Sequence, residues 1–145
     1  MEGINSRLDG LQAAILNAKL KHLKEWTNQR IEKAGIYNSL LKNIPQLVLP
    51  KVRQGTIHSY PLYVVKAQQR NKLQHYLKEK GVETAIHYPT PLPFLPAYNY
   101  LNFKKEDYPD ATSNQQQILS LPIFPELNYE QQIYIAKCII DFYKQ

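Results

Sequence analysis

The 145-residue sequence contains a single cysteine, Cys138, and only five scattered glycines. One cysteine excludes an internal disulfide framework. Because Cys138 lies within the apolar helical pattern YIAKCIIDFY, we interpret it as a buried, unreactive thiol. The scattered glycines form no glycine-rich phosphate loop, so the common nucleotide-binding motifs are absent from the sequence.

Long apolar runs are also missing. No stretch of about 18 apolar residues occurs, so the sequence contains no candidate membrane-spanning helix. The opening residues MEGINSRLDG lack the basic-then-apolar order of a secretory signal. We therefore expect a cytoplasmic protein with no membrane partner.

Signatures of metal and nucleophile chemistry are absent as well. No C-x-x-C, H-E-x-x-H or G-x-S-x-G motif occurs. The histidines are not spaced as metal ligands, so we predict no metal site; they are His22, His58, His75 and His87. The residues alone thus show no complete active site.

Basic residues outnumber acidic ones by 18 to 12, which gives a formal charge of +6. Such a charge can attract nucleic acid, an acidic membrane or a phosphorylated small molecule. A nucleic-acid surface would need clustered basic residues between aromatic ones, and the sequence has 11 tyrosines. However, its charges are dispersed, and the densest run, NAKLKHLKEW, is typical of a solvated helix face. We expect no nucleic-acid partner.

Helical spacing of apolar residues predicts one long helix over residues 6–44. Ser6 and Asp9 fit a capping box at its start, and Pro45 ends it. A small sheet cannot bury the whole apolar surface of such a helix. We therefore expect it to pack against a second domain or a second subunit outside this chain.

The residue pattern of 45–145 predicts a small sheet covered by helices, which is an α/β fold with α+β-like layers. The predicted extended segments are QLVLP, IHSYPLYVVKA, VETAIHY and SLPIFPEL. The predicted helices are QRNKLQHYLKEKG, closed by Gly81, a short one in LPFLPAYNYL, DYPDATSNQQQIL, and NYEQQIYIAKCIIDFYKQ, capped by Asn128.

The turn IHYPTPLP is the one local candidate for a site, together with His58. Both histidines border predicted strands, where binding residues often lie. The alternative is structural, with His87 capping a strand and Tyr88 packing against the domain. The residue pattern alone leaves both interpretations open.

Three segments in order resemble the DegT/StrS family of pyridoxal-phosphate-dependent sugar aminotransferases. They are GINSRLDGLQAAILNAKLKHLKEWTNQR, HSYPLYVVKAQQRNKLQHYLKEKGVETAIHYPTPLP and ILSLPIFPELNYEQ. Family members have a fold-type I architecture, and their large N-terminal domain carries the lysine that binds the cofactor. No similar block occurs here. The resemblance therefore implies that residues 1–145 are the C-terminal small domain, begun as a fragment at Met1, without the N-terminal cofactor domain or a catalytic residue.

The resemblance implies a function for the intact enzyme. It would transfer an amino group from glutamate to a nucleotide-linked keto sugar in surface polysaccharide or glycoside biosynthesis. It would use pyridoxal 5'-phosphate and act as a homodimer, whereas this chain alone would bind no cofactor and be inactive. The alternative is a stand-alone, non-catalytic module that binds sugar nucleotides or mediates an interaction.

The resemblance also implies roles for four residues. Asn5 matches an asparagine that reaches across the dimer to the cofactor phosphate, although it could instead only cap the helix. Arg7 would contact an acidic group near the site or pair with Asp9. His87 and Tyr88 would lie at the substrate opening. Many members have a histidine where this chain has Pro93, so the role of that histidine does not carry over.

Overall fold

The computed structural model of the chain describes residues 7–144. Helices in this range surround one small sheet, as predicted. The elements are α1 Gly10–Leu20, α2 Leu23–Leu41, β1 Leu47–Val48, β2 Tyr63–Ala67, α3 Arg70–Glu79, the 3-10 helices Leu92–Phe94, Pro96–Leu101 and Lys105–Asp107, α4 Pro109–Gln117, β3 Ile118–Leu121 and α5 Tyr129–Lys144.

The sheet is antiparallel in the order β1-β2-β3. In the central strand β2, alternate side chains are buried, as expected for a strand with one face toward the core: they are Tyr63, Val65 and Ala67. Pro61 lies two residues before β2, outside the ladder to which it could not donate a hydrogen bond.

The predicted strand VETAIHY, residues 82–88, is wrong. Only Ala85 forms a bridge there, exchanging two backbone hydrogen bonds with Ser120 of β3 at 3.2 and 2.8 Å. The segment runs into Pro89, Pro91 and Pro93, which have no N–H groups to extend a ladder.

The core lies between the sheet and helices α2, α3 and α5. Tyr37 of α2 packs against Tyr63 of β2 with ring centroids 5.0 Å apart. Gln132 of α5 is fully buried and donates from Nε2 to the backbone carbonyl of Lys33 on α2 at 2.9 Å. Cys138 is buried in the same core, as predicted.

Two predicted helix ends are confirmed. Gly81 ends α3 with φ +73°, and Val82 N–H donates to the Leu77 carbonyl at 2.8 Å, which is a Schellman motif. Asn128 starts α5 because its Oδ1 accepts from Gln131 N–H at 2.8 Å. The Gln131 side chain accepts from Asn128 N–H at 3.0 Å in return.

The N-terminal segment is helical over most of its length, but it is not one helix over residues 6–44. It divides into α1 and α2 at Lys21 and His22, where His22 N–H bonds three residues back to the Lys19 carbonyl at 3.0 Å. The start also differs: Asp9 is the N-cap of α1 and accepts from Gln12 N–H at 2.8 Å.

Helix α1 has no buried residue, so its apolar side chains face outward. The six large ones in and beside it are 48–73% exposed: Leu8, Leu11, Ile15, Leu16, Leu20 and Leu23. Contiguous exposed apolar surface of this kind usually marks a contact site.

Candidate functional site

The proline-rich turn after Ala85 carries the two side chains that the sequence singled out. The His87–Tyr88 peptide bond is cis, and a 3-10 helix, Leu92–Phe94, begins after Pro91. Gln115 of α4 fixes the turn by donating from its side-chain amide to the Pro89 carbonyl at 2.7 Å. The turn is therefore held by a helix remote in sequence.

His87 faces β3. Its Nδ1 lies 2.9 Å from the hydroxyl oxygen of Ser120, and its ring is half-buried. The ring lines a cleft of about 370 Å³ together with Leu62, Glu83 and Ile123. Its contact is with a side chain rather than with a strand-end backbone group, so His87 does not cap the strand.

Tyr88 is 74% exposed, so the alternative that it packs in the domain is wrong. It lines a second, larger cleft of about 630 Å³. The apolar walls of this cleft include Pro91, Leu92, Leu95, Ala111 and Ile118. Thr90 and Asn114 also line it, and no hydrogen bond to either side chain occurs within residues 7–144. An apolar pocket with a few free polar groups is typical of a small-molecule site.

His58 serves the backbone of its own loop. Its Nδ1 accepts the Tyr60 N–H at 2.9 Å, and the two rings lie 4.3 Å apart. Tyr60 has φ +46°, a region unfavourable for a bulky side chain. Arg30 of α2 donates to the Ser59 carbonyl at 3.3 Å and also holds this loop. His58 lines neither of the clefts beside the turn.

The other two candidates lie at the N-terminus. Asn5 is outside the described residues. Arg7 is exposed before α1, and within residues 7–144 it has no ion pair with Asp9, whose carboxylate caps the helix instead. Arg7 lines neither the His87 cleft nor the Tyr88 cleft. The structure thus brings together His87 and Tyr88 but does not place Arg7 beside them.

Every lysine is exposed except Lys33 on α2, which is half-buried. Within residues 7–144 there is also no group of three potential metal ligands, and no helix is long and apolar enough to span a membrane.

Sequence reasoning missed Ser120 and Gln115, the two hydrogen-bond partners of the turn. Ser120 lies in the family-like segment ILSLPIFPEL, which was the only signal for it. Its contact with His87 joins residues 33 positions apart, and such pairing is not visible in local periodicity.

Comparison with known proteins identifies the family. The model of the DegT/DnrJ/EryC1/StrS aminotransferase family matches residues 1–140. The chain is 42% identical over 144 residues to a "pleiotropic regulatory protein" of Geobacillus stearothermophilus, covering 98% of this chain and 39% of that one. It is 38% identical over 138 residues to the dTDP-3-amino-3,6-dideoxy-alpha-D-galactopyranose transaminase of Aneurinibacillus thermoaerophilus, covering 95% and 37%.

The fold is that of the same family. The crystal structure of S. venezuelae DesV in complex with a ketimine intermediate superposes with a TM-score of 0.92 at 34% identity. The match covers the whole of this chain and 39% of DesV. The chain therefore belongs to the DegT/DnrJ/EryC1/StrS aminotransferase family, as the sequence predicted, and it spans less than two fifths of the length of these relatives.

Proposed function

We propose that this chain is the C-terminal domain of a pyridoxal-phosphate-dependent aminotransferase that moves an amino group from glutamate to a nucleotide-linked keto sugar. The product would serve surface polysaccharide or glycoside biosynthesis. The observation that carries the proposal is coverage: nearly all of this chain matches a nucleotide-sugar transaminase, but only 37% of that enzyme is matched. The cofactor, when bound, supplies the electron sink for amino transfer.

The cofactor and this chain would belong to two different domains. The residue that binds the cofactor would lie in a preceding N-terminal domain, because no block resembling the family's lysine segment occurs in this sequence. Residues 45–145 would then form the small domain, and residues 6–44, which include α1 and α2, would connect it to the larger one. The outward apolar face of α1 supports this arrangement, because a neighbouring domain or subunit would remove it from water.

The proposed roles of the turn residues follow from where their side chains lie. Tyr88 would contact an apolar or planar part of the sugar nucleotide in its 630 Å³ cleft. His87 would contact a polar part in the cleft on the other side of the turn. Because the turn is already ordered, the chain would lose less conformational entropy when a substrate binds to it.

The N-terminal residues would act across a homodimer. Asn5 would donate an amide hydrogen bond to the phosphate of the cofactor held by the partner subunit. Arg7, exposed and without an ion pair in the described range, would be available to an acidic group of the substrate. Arg7 lines neither of the two clefts beside the turn, which is consistent with its acting at a different subunit's site.

A second candidate function is binding without catalysis. The Tyr88 cleft supports it, because its lining combines apolar side chains with a few polar ones, as in many small-molecule sites. Calorimetry of the chain alone with dTDP-glucose separates the two. Micromolar binding would favour a stand-alone module, whereas the aminotransferase proposal expects weak binding until the larger domain is present.

The aminotransferase proposal is tested by domain replacement. The matched segment of the A. thermoaerophilus transaminase is exchanged for this chain, giving a domain-replacement protein. Both this protein and the chain alone are loaded with pyridoxal phosphate, reduced with borohydride and mapped by mass spectrometry. We expect label only in the domain-replacement protein and only on a lysine of the transaminase part. Specific label on a lysine of this chain would overturn the proposed division.

A further inference from the structure

The hydrogen bond between His87 and Ser120 allows two arrangements of protons. Either the Ser120 hydroxyl donates to a bare Nδ1, or a protonated Nδ1 donates to the hydroxyl oxygen. The two arrangements leave the imidazole proton on opposite nitrogens of the neutral ring. Which one holds decides what His87 offers to the cleft.

The surroundings of Ser120 select between them. Ser120 is only 5% exposed although it lines the cleft with His87 and Thr84, and its cross-strand neighbours Val64 and Ala85 have apolar side chains. If Nδ1 carried the proton, the Ser120 hydroxyl hydrogen would have no acceptor within the described residues. A buried donor without an acceptor is unfavourable, by roughly fivefold or more in an equilibrium. The hydroxyl therefore donates to Nδ1, and the ring proton lies on Nε2.

We propose that Ser120 is a positioning residue that fixes the Nε2–H tautomer of His87 and makes it a hydrogen-bond donor in the cleft. The main chain also holds the two residues in place, because Ala85 and Ser120 donate a backbone hydrogen bond to each other. The His87 side chain thus starts two residues beyond a fixed bridge, and its Nε2 has no partner within residues 7–144.

The other residues of the same cleft indicate which substrate group the His87 Nε2–H would bind. Glu83 also lines it, and a carboxylate accepts hydrogen bonds but repels a phosphate. A sugar hydroxyl satisfies both groups, since its oxygen accepts from His87 while its hydrogen donates to Glu83. This assignment rests on the proposed function and specifies the part of the substrate that the cleft takes, a hydroxyl of the sugar ring.

The tautomer is measured without substrate or cofactor. Long-range 15N–1H NMR of the chain in alkaline buffer, where imidazole is neutral, distinguishes a bare Nδ1 from a protonated one. We expect a bare Nδ1 in the wild type and in Ser120→Thr, which retains a hydroxyl. In Ser120→Ala the ratio of tautomers should shift at least about fivefold toward Nδ1–H. A wild type with protonated Nδ1 overturns the proposal even if Ser120→Ala does not fold, and so does an unchanged ratio in a folded Ser120→Ala.

The hydroxyl assignment is measured on the domain-replacement protein. Ser120→Ala should raise KM for the keto-sugar nucleotide several-fold and leave KM for glutamate unchanged, and Ser120→Thr should restore it. If Ser120→Ala shifts the tautomer but has the same KM for the keto-sugar nucleotide as the wild type, the proposed contact with the sugar is overturned. If the domain-replacement protein transfers no amino group at all, the proposed function fails, whereas the NMR result still decides the role of Ser120.

Discussion

The rings of His87 and Tyr88 meet edge to face with centroids 5.8 Å apart, yet they line different clefts. His87 faces β3 from this turn, whereas Tyr88 faces the larger cleft. One ring is half-buried against Ser120, and the other is mostly in solvent. Their contributions to stability and to binding should therefore be separable.

Tyr88→Ala should affect binding and not folding. Because the side chain is 74% exposed, the free energy of unfolding should change by less than about 0.5 kcal/mol. In the domain-replacement protein, loss of the aromatic contact should raise KM for the sugar nucleotide roughly tenfold, with kcat little changed. Urea unfolding and steady-state kinetics measure the two effects. The exposed Tyr129 provides a matched control, and an equal rise in KM for Tyr129→Ala would refute the assignment.

Two glycines should respond to alanine with opposite signs. At Gly81, where φ is +73°, an added Cβ destabilises the Schellman motif by roughly 1–2 kcal/mol. Gly35 lies within α2 with nothing within 4 Å of an added Cβ, so Gly35→Ala should stabilise by about 0.5–1 kcal/mol. Urea unfolding measures both. Destabilisation by both variants would contradict the described geometry of α2.

Stability should fall at alkaline pH because of buried tyrosines. Burial raises the pKa of Tyr143 to about 12 and raises the pKa values of Tyr37 and Tyr63 even further. A tyrosine is neutral when protonated, so a raised folded-state pKa gives stability that is complete below the unfolded pKa of about 10 and is lost as pH rises through 12.

Tyr143→Phe removes one of these groups and its 2.7 Å hydrogen bond to the Gln68 carbonyl. Its unfolding free energy should start about 1 kcal/mol lower at pH 9 but decline less steeply by pH 11. Tyr129→Phe, at an exposed position, is the control and should keep the wild-type slope. Parallel pH profiles for wild type and Tyr143→Phe would show that burial of this hydroxyl contributes nothing to the alkaline loss.

Self-association of the isolated chain should depend on α1. Its outward leucines and isoleucine leave an apolar surface that a second copy can cover when no larger domain is present. Sedimentation velocity should show association that Leu16→Glu weakens and Asn17→Glu, with the same charge at an exposed polar position, does not. A wild-type chain that stays monomeric at high concentration would contradict self-association through α1.

Sequence patterns predicted the features that local chemistry decides. Gly81 and Asn128 mark helix termini through backbone freedom and side-chain capping: Gly81 ends α3, and Asn128 begins α5. The break at His22 was not predicted, because apolar residues keep helical spacing across it, at Leu20, Leu23 and Trp26.

The site was predictable only in part, because some of its contacts join residues far apart in the sequence. The motif indicated His87 and Tyr88 as a pair, but it could not show that Ser120 holds one ring and leaves the other exposed. That difference depends on the antiparallel bridge between Ala85 and Ser120, a long-range contact. Asn5 lies outside the described residues, so its role stays a prediction.

The central claim is that this chain completes a sugar aminotransferase without supplying its reactive lysine. Its most direct test is transfer of label from [15N]glutamate to a dTDP-linked keto sugar by the domain-replacement protein, followed by mass spectrometry of the sugar. The account predicts a 15N-labelled amino sugar from the domain-replacement protein and none from the chain alone. A folded domain-replacement protein that retains pyridoxal phosphate but labels no keto sugar would contradict it.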